Sequence, residues 1–300
     1  FTEASLDLAE DQELMELMGL AGFQNVFIGI ETPNEDSLRE TKKLQNVRPN
    51  AGSLIDRVHR IQDNGIDVWC GMIVGFDHDD PTIFKAVPEF LSRARISTAL
   101  VGMLHAIPTT PLFKRLQEEG RLNSDEDADR YGTNVMPLGM SSDELRAGFV
   151  QTMQEAYSAD AYFDRLDSQF IDQDFKFTVH QLPYWDNWRW AWAKRAAFNY
   201  VRFGVIASRL ISSVKNTALR DRYRQQIARV VKKRWREPHI LFIYALKTAT
   251  HYHYAELVRS ISQSDPETGA MSNAGRSFSR RRKEGEKTEE KAKAKEAIAA

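Results

Sequence analysis

The sequence holds a single cysteine, Cys70, among 300 residues. One thiol excludes an intrachain disulfide and falls short of the ligand set of a zinc or iron–sulfur site. It suits a reducing compartment, so the cytoplasm is the expected location. No apolar run approaches the roughly 20 residues needed to cross a bilayer. No secretory leader is visible, because Glu3, Asp7 and Glu10 crowd the start. Neither sign of charge is in excess: 41 basic and 42 acidic residues leave a formal net charge of -1. Such a balance sets up no global field for nucleic acid, which is not expected as a partner, and any basic region acts only locally. An initiating Met is lacking too. Phe1 opens directly in a strand-like stretch, and sequence upstream of it is expected.

What is present reads as a soluble globular chain, 42% hydrophobic and 28% charged, long enough for two modest domains. The first ~120 residues alternate helix and strand signals at the short spacing of a β/α architecture. Residues 10–21 predict a helix with Leu14, Leu17, Met18 and Ala21 on one face, stopped by Gly22. Val26 to Ile30 is an apolar run that Glu31 closes. Helices are expected over 34–43, 53–64, 80–94 and 112–119, and strands over 68–75 and 98–106. The strands are apolar throughout, which predicts a parallel sheet buried on both faces, as a barrel or an open sheet. Residues 123–139 are polar and read as a linker. Ser141 with Glu144 is a capping box that opens a helix to about residue 157. Only helices follow, over 160–170, 186–214, 217–236 and 238–263. From Ser264 the chain is too poor in large apolar residues to offset its ordering entropy, and disorder is expected.

Three strand ends carry the candidate chemistry. Gly29-Ile30-Glu31 places a carboxylate at the carboxyl end of a strand, where parallel β/α folds meet their ligands. It suits ribose hydroxyls, and equally a cap on the next helix. Gly71-Met72-Ile73-Val74-Gly75 puts two glycines on the face of Ile73, where a flat ring can lie against backbone; glycine in a strand also marks a bulge or bend. Ala106-Ile107-Pro108 ends the third strand of this trio, its backbone stiffened by Pro108 and Pro111.

Taken in this order, the elements resemble the second half of the radical S-adenosylmethionine (SAM) barrel. Phe1 to Leu6 is similar to its third strand, Gly29-Ile30-Glu31 to the ribose motif of the fourth, and Gly71 to Asp77 to the Gly-x-Ile-x-Gly motif of the fifth. Val101 to Pro108 is similar to the sixth, with Pro-x-Thr-Pro-Leu and Gly120-Arg121-Leu122 after it. The resemblance implies an α/β fold: the C-terminal half of a radical SAM partial (β/α)6 TIM-like barrel over 1–122, an all-α domain over 123–263 and a disordered charged tail over 264–300. It implies SAM contacts at Glu3, Glu31, Gly71, Ile73, Gly75, Ala106 and Ile107, with Lys42 as a cation for the methionine carboxylate. The Cys-x-x-x-Cys-x-x-Cys motif of the family is absent, so the ligands of its [4Fe–4S] cluster are not in this chain and SAM cleavage by it alone is not expected. Asp77, Asp79 and Asp80 stand where relatives often carry Glu.

Tyr157 to Arg165 and Trp235 to His253 resemble an uncharacterised C-terminal domain of cobalamin-binding radical SAM proteins, among them relatives of the hopanoid C2 methyltransferase. That implies methyl transfer to an unreactive carbon through methylcobalamin and a 5′-deoxyadenosyl radical, on a small-molecule or lipid-like substrate, with the upstream part of the same protein as partner.

A competing reading takes the helical part as a binding module for membrane or polyanion. Its carriers are the basic helix with Arg222, Arg224, Arg229, Lys232, Lys233, Arg234 and Arg236, and the aromatic run from Tyr184 to Trp192. The commoner arrangement is a solvated basic face, with Trp185, Trp188 and Trp192 filling core from one helical face. His251 and His253 lie about 200° apart on a helix and do not converge on a metal.

Overall fold

The computed structural model describes residues 1–48 and 51–263; the tail expected over 264–300 lies outside the described residues. Four strands, β1 (Thr2–Ala4), β2 (Asn25–Glu31), β3 (Asp67–Val74) and β4 (Ala99–Met103), form one parallel sheet in the order β1-β2-β3-β4. The helices are α1 (Gln12–Leu20), α2 (Glu35–Glu40), α3 (Leu54–Asp63), α4 (Ile83–Arg93), α5 (Pro111–Glu118) and α6 (Asp125–Tyr131). They continue as α7 (Ser142–Ala156), α8 (Ala159–Asp167), α9 (Tyr184–Asn187), α10 (Arg189–Ser213), α11 (Thr217–Arg234) and α12 (Pro238–Ser262). Two compact units result. The larger joins 1–104 to 137–258, and the smaller comprises 105–136 and, among the described residues, 259–263.

In the larger unit the strands have two unlike faces. Val26, Ile28 and Ile30 of β2, and Val68, Cys70, Met72 and Val74 of β3, are buried. Phe27, Gly29, Trp69, Gly71 and Ile73, which alternate with them, are only half-buried. Burial on both faces, expected from the apolar runs, therefore holds for one face. Helix ends follow local chemistry: Ser53 with Asp56 and Ser141 with Glu144 form capping boxes, and Asn34 and Ser158 cap α2 and α8 through their side chains.

Several expectations are corrected. In α1 the buried residues are Met15 and Gly19, while Leu14 and Leu17 are exposed. Gly19 explains the rotation: a Cβ there would meet Thr178 Cγ2 at 2.6 Å, so the bare position admits Thr178 and turns the leucines outward. The polar stretch read as a linker contains α6, capped by Ser124 and closed by left-handed Gly132. The tryptophans do not fill core. The chain breaks at Trp188 (φ -120°, ψ 44°), so Trp185 and Trp192 belong to different helices rather than one face. Trp188 and Trp192 are exposed, and Trp185 is half-buried with Nε1 donating to the Val179 carbonyl at 2.7 Å.

The basic helix α11 is largely occupied with its own neighbours. Arg222 pairs with Asp160 at 2.9 Å, Arg229 with Asp167 at 3.0 Å and buried Arg234 with Glu237 at 2.7 Å. His251 is buried: Nε2 lies 3.2 Å from the Tyr157 carbonyl and Nδ1 2.7 Å from the Tyr223 hydroxyl. A carbonyl only accepts, so Nε2 carries the proton and Tyr223 donates to Nδ1. Burial pushes this imidazole down to about 4.

Candidate functional site

The carboxyl end of β2 is built around Glu31. Its φ of 70° lies in the left-handed region, and the ladder shifts there, pairing Gly29 with Gly71 but Glu31 with Met72. The carboxylate folds back over Gly29, where an added Cβ would stand 2.5 Å from Oε1. Lys43 Nζ holds the same oxygen at 2.9 Å, with both side chains still partly accessible. The side chain of Asn46 donates to the Ile30 carbonyl at 3.1 Å and ties the following turn to the strand. Sequence reading selected Lys42; the structure gives that position a left-handed φ of 58° and an exposed side chain, and Lys43 is the cation that faces Glu31.

Beside Glu31 the half-buried face loses its side chains. Gly29 and Gly71 are direct partners across β2 and β3, Gly71 lies opposite exposed Leu100, and Ile73 lies opposite Gly102. A Cβ at Gly71 would touch the Phe27 ring at 3.2 Å, and one at Gly102 would meet nothing within 4 Å. Gly29 is therefore covered by the Glu31 carboxylate and Gly71 by the Phe27 ring, and the open backbone of this face, where a flat ring can rest, is at Gly102. Exposed Glu3 is level with Phe27 on this face.

The turn after β3 serves a different purpose from the one its motif suggested. Gly75 has φ 99°, and a Cβ there would meet Leu145 Cδ2 of α7 at 2.9 Å. It sits past the strand end and makes the turn. Asp79 accepts from the Gly75 N–H at 2.9 Å, the Phe76 N–H at 3.1 Å and the Ser37 hydroxyl at 2.9 Å. Burial pushes its carboxyl up, while these three donors pull it down. Asn34 donates to the His78 carbonyl at 3.0 Å, so the turns after β2 and β3 are joined. Asp80 caps the Thr82 N–H at 2.8 Å. The carboxylates of this run that were candidates for ligand contact thus include two that organise the loop.

In the smaller unit, Ala106 is buried and Ile107 is 64% exposed. Both backbone groups of Ala106 bond to the Asn134 carboxamide: the N–H donates to Oδ1 and the carbonyl accepts from Nδ2, each at 2.8 Å. The Ile107 carbonyl accepts from the Thr110 hydroxyl at 2.7 Å. The paired donor and acceptor expected to read a base edge is here answered by a side chain with the donor–acceptor complement of an adenine edge.

Sequence reasoning missed Lys43, Gly102 and Asn134. Gly102 alone had a visible signal, a glycine inside the third apolar run. For an iron–sulfur cluster the described residues do not fit. Cys70 is buried with its thiol pushed up to about 12 by burial, and no group of three His, Cys, Asp or Glu side chains converges among the described residues.

A four-stranded parallel sheet followed by a helical region defines the class: an α/β protein with a helical C-terminal part. Residues 110–266, over half of the chain, match the family described as Domain of unknown function (DUF4070), and the chain belongs to that family, the C-terminal domain of cobalamin-binding radical SAM enzymes. Its relatives are methyltransferases by name. A Synechocystis sp. protein named as an uncharacterized methyltransferase is 39% identical over 170 residues, 55% of this chain and 30% of its own length. The hopanoid C-2 methylase of Rhodopseudomonas palustris is 34% identical over 56% of this chain and 30% of its own length. The bacteriochlorophyllide d C-12(1)-methyltransferase of Chlorobaculum tepidum is 26% identical over 54% and 35%. The chain spans about a third of the length of the curated relatives it matches.

Proposed function

We propose that this chain supplies the ribose-and-adenine shelf of the SAM site in a cobalamin-type radical methyltransferase acting on an unreactive carbon, its sheet being the second half of that enzyme's partial barrel. The observation that carries the reading is the set of glycines on one sheet face, Gly29, Gly71 and uncovered Gly102, with the Glu31 carboxylate held over Gly29 by Lys43. In such an enzyme SAM, when bound, furnishes the 5′-deoxyadenosyl group that activates the substrate carbon. The residues of this chain bind and orient. Glu31 accepts from ribose hydroxyls, and Lys43 holds its carboxylate in place. Gly102 lets the base approach the backbone, Gly29 and Gly71 leave room for the Glu31 carboxylate and the Phe27 ring, and Ile73 and Phe27 are the apolar walls. Cluster thiolates belong to sequence outside this chain.

The test uses the product of the full gene, including what is encoded upstream of Phe1, reconstituted anaerobically and assayed for 5′-deoxyadenosine. Glu31→Gln is expected to weaken SAM binding by roughly tenfold or more, since a charge-assisted hydrogen bond is lost. Unchanged SAM affinity in that variant overturns the assignment. The chain from Phe1 alone, treated identically, is expected to yield no 5′-deoxyadenosine, and product from it refutes that part.

A further inference from the structure

The strongest unassigned surface is helix α10. Its inner side is ordinary: Asn199, Ala207 and Leu210 are buried. Its outer side is apolar as well. Trp190 is 77% exposed, Val201 62%, Phe198 56% and Val205 45%, and these four recur at helical spacing along one stripe. Between them lie Ala193, Ala197 and Gly204, so the stripe is smooth. A helix apolar on two sides, with one side facing solvent, has a face without a partner.

Charge decides what covers it. The 25 residues of α10 include Arg189, Lys194, Arg195, Arg202 and Arg209 and not one Asp or Glu. On α11 Arg222, Arg229 and Arg234 are paired with carboxylates; α10's cations form no ion pair among the described residues. Arg202 instead lies over the Phe198 ring at 4.5 Å. Where α10 passes α11, the Tyr200 hydroxyl donates to the Trp235 carbonyl at 2.6 Å. That contact brings up Trp235, 56% exposed with the Arg236 guanidinium 5.0 Å from its ring centre, and exposed Lys232 and Lys233. Asp186 on α9 is the one acid at the start of this surface. Indole rings, aliphatic side chains and cations, exposed along α10 and at the end of α11, match the boundary between acyl chains and anionic headgroups. A nucleic acid would answer the cations but leave Val201 and Val205 without a role. No helix of the described residues is long and apolar enough to cross a membrane, so the contact is a lying one.

We propose that α10 seats the protein on the surface of an anionic bilayer. Trp190, Phe198, Val201 and Val205 enter the headgroup–acyl boundary, and Lys194, Arg202 and Arg209 meet lipid phosphates. This stands apart from the adenosine shelf and survives its failure.

Vesicle flotation of the protein tests it, with vesicles of phosphatidylcholine alone and of phosphatidylcholine containing a third phosphatidylglycerol, at low and at moderate salt. Flotation with the anionic vesicles is expected, weaker with neutral ones and weaker as salt rises. Trp190→Ser with Val201→Ser is expected to reduce partitioning by about tenfold or more, because two exposed apolar groups lose their burial in lipid. Lys194→Glu with Arg209→Glu is expected to erase the preference for anionic lipid. All four side chains are exposed, and circular dichroism matching the parent verifies that each variant folds. The proposal falls if the parent protein floats with neither vesicle. It falls equally if the serine variant floats as well as the parent, or if that variant instead dissolves a self-association seen by sedimentation in a parent that ignores vesicles. Binding to polyuridylate without binding to vesicles also overturns it.

Discussion

The two ends of the sheet carry the same kind of ion pair in opposite surroundings. At the amino end of β3, Asp67 receives Lys247 Nζ of α12 at 2.7 Å, Asn25 at 2.8 Å, the Trp69 indole at 2.9 Å and Gln169 at 3.0 Å. Lys247 also donates to the Ser97 hydroxyl at 3.0 Å, and both charged side chains are almost wholly buried. At the carboxyl end, Lys43 and Glu31 lie 2.9 Å apart but remain 35% and 18% exposed. Distance alone does not distinguish them. Burial and the number of partners do: the first pair is saturated and locks helices to strands, and the second keeps access to solvent above Gly29.

That contrast is sharpened most by removing Lys247. Lys247→Met leaves Asp67 buried with its neutral donors alone and is expected to cost about 3–5 kcal/mol, read from the shift in urea midpoint. Adding Asp67→Asn is expected to recover part of the loss. Acid provides the next largest effect, again at the amino end, where Tyr157 joins the Ala99 backbone to His251. An unfolded imidazole protonates near 6.5 and the folded one near 4, so below pH 6.5 the unfolded state binds the extra proton. Stability is therefore expected to be at its plateau above pH 6.5 and to fall by about 1.4 kcal/mol per pH unit from this residue as pH drops toward 4. Denaturation midpoints measured across that window check it, and His251→Gln should flatten the slope.

At the carboxyl end the expected costs are smaller. Gly75→Ala forces an L side chain into positive φ against Leu145 and should cost roughly 1–3 kcal/mol in thermal or urea unfolding. Glu31→Gln should change stability by less than about 1 kcal/mol, since the pair it breaks is partly exposed. A large destabilisation there would break the comparison, making Glu31 a structural residue like Asp67.

The strands and helices were legible wherever one element's own residues decide its form. The apolar runs gave β2, β3 and β4, and Ser53, Asn34 and Ser141 marked the helix starts through caps that reach three residues at most. What stayed hidden depends on groups distant in sequence or on side-chain direction. The burial of Met15 rather than Leu14 follows from Thr178 pressing on Gly19. The choice of Lys43 over Lys42 follows from one left-handed residue that reverses which side chain faces the strand. The family of the helical part was legible from Tyr157 to Arg165 and from Trp235 to His253, but the exposure of Trp190 was not, because a break at Trp188 carries no warning in composition.

The partnership of Asp67 with Lys247 has a consequence for synthesis. The carboxylate leaves the ribosome about 180 residues ahead of its ammonium, an interval on the order of ten seconds or more at ordinary elongation rates. Through that interval the base of the nascent sheet holds a charge that water must solvate. Burying that carboxylate before its ammonium arrives is costly, so the contact favours closure of this end of the sheet after α12 is made.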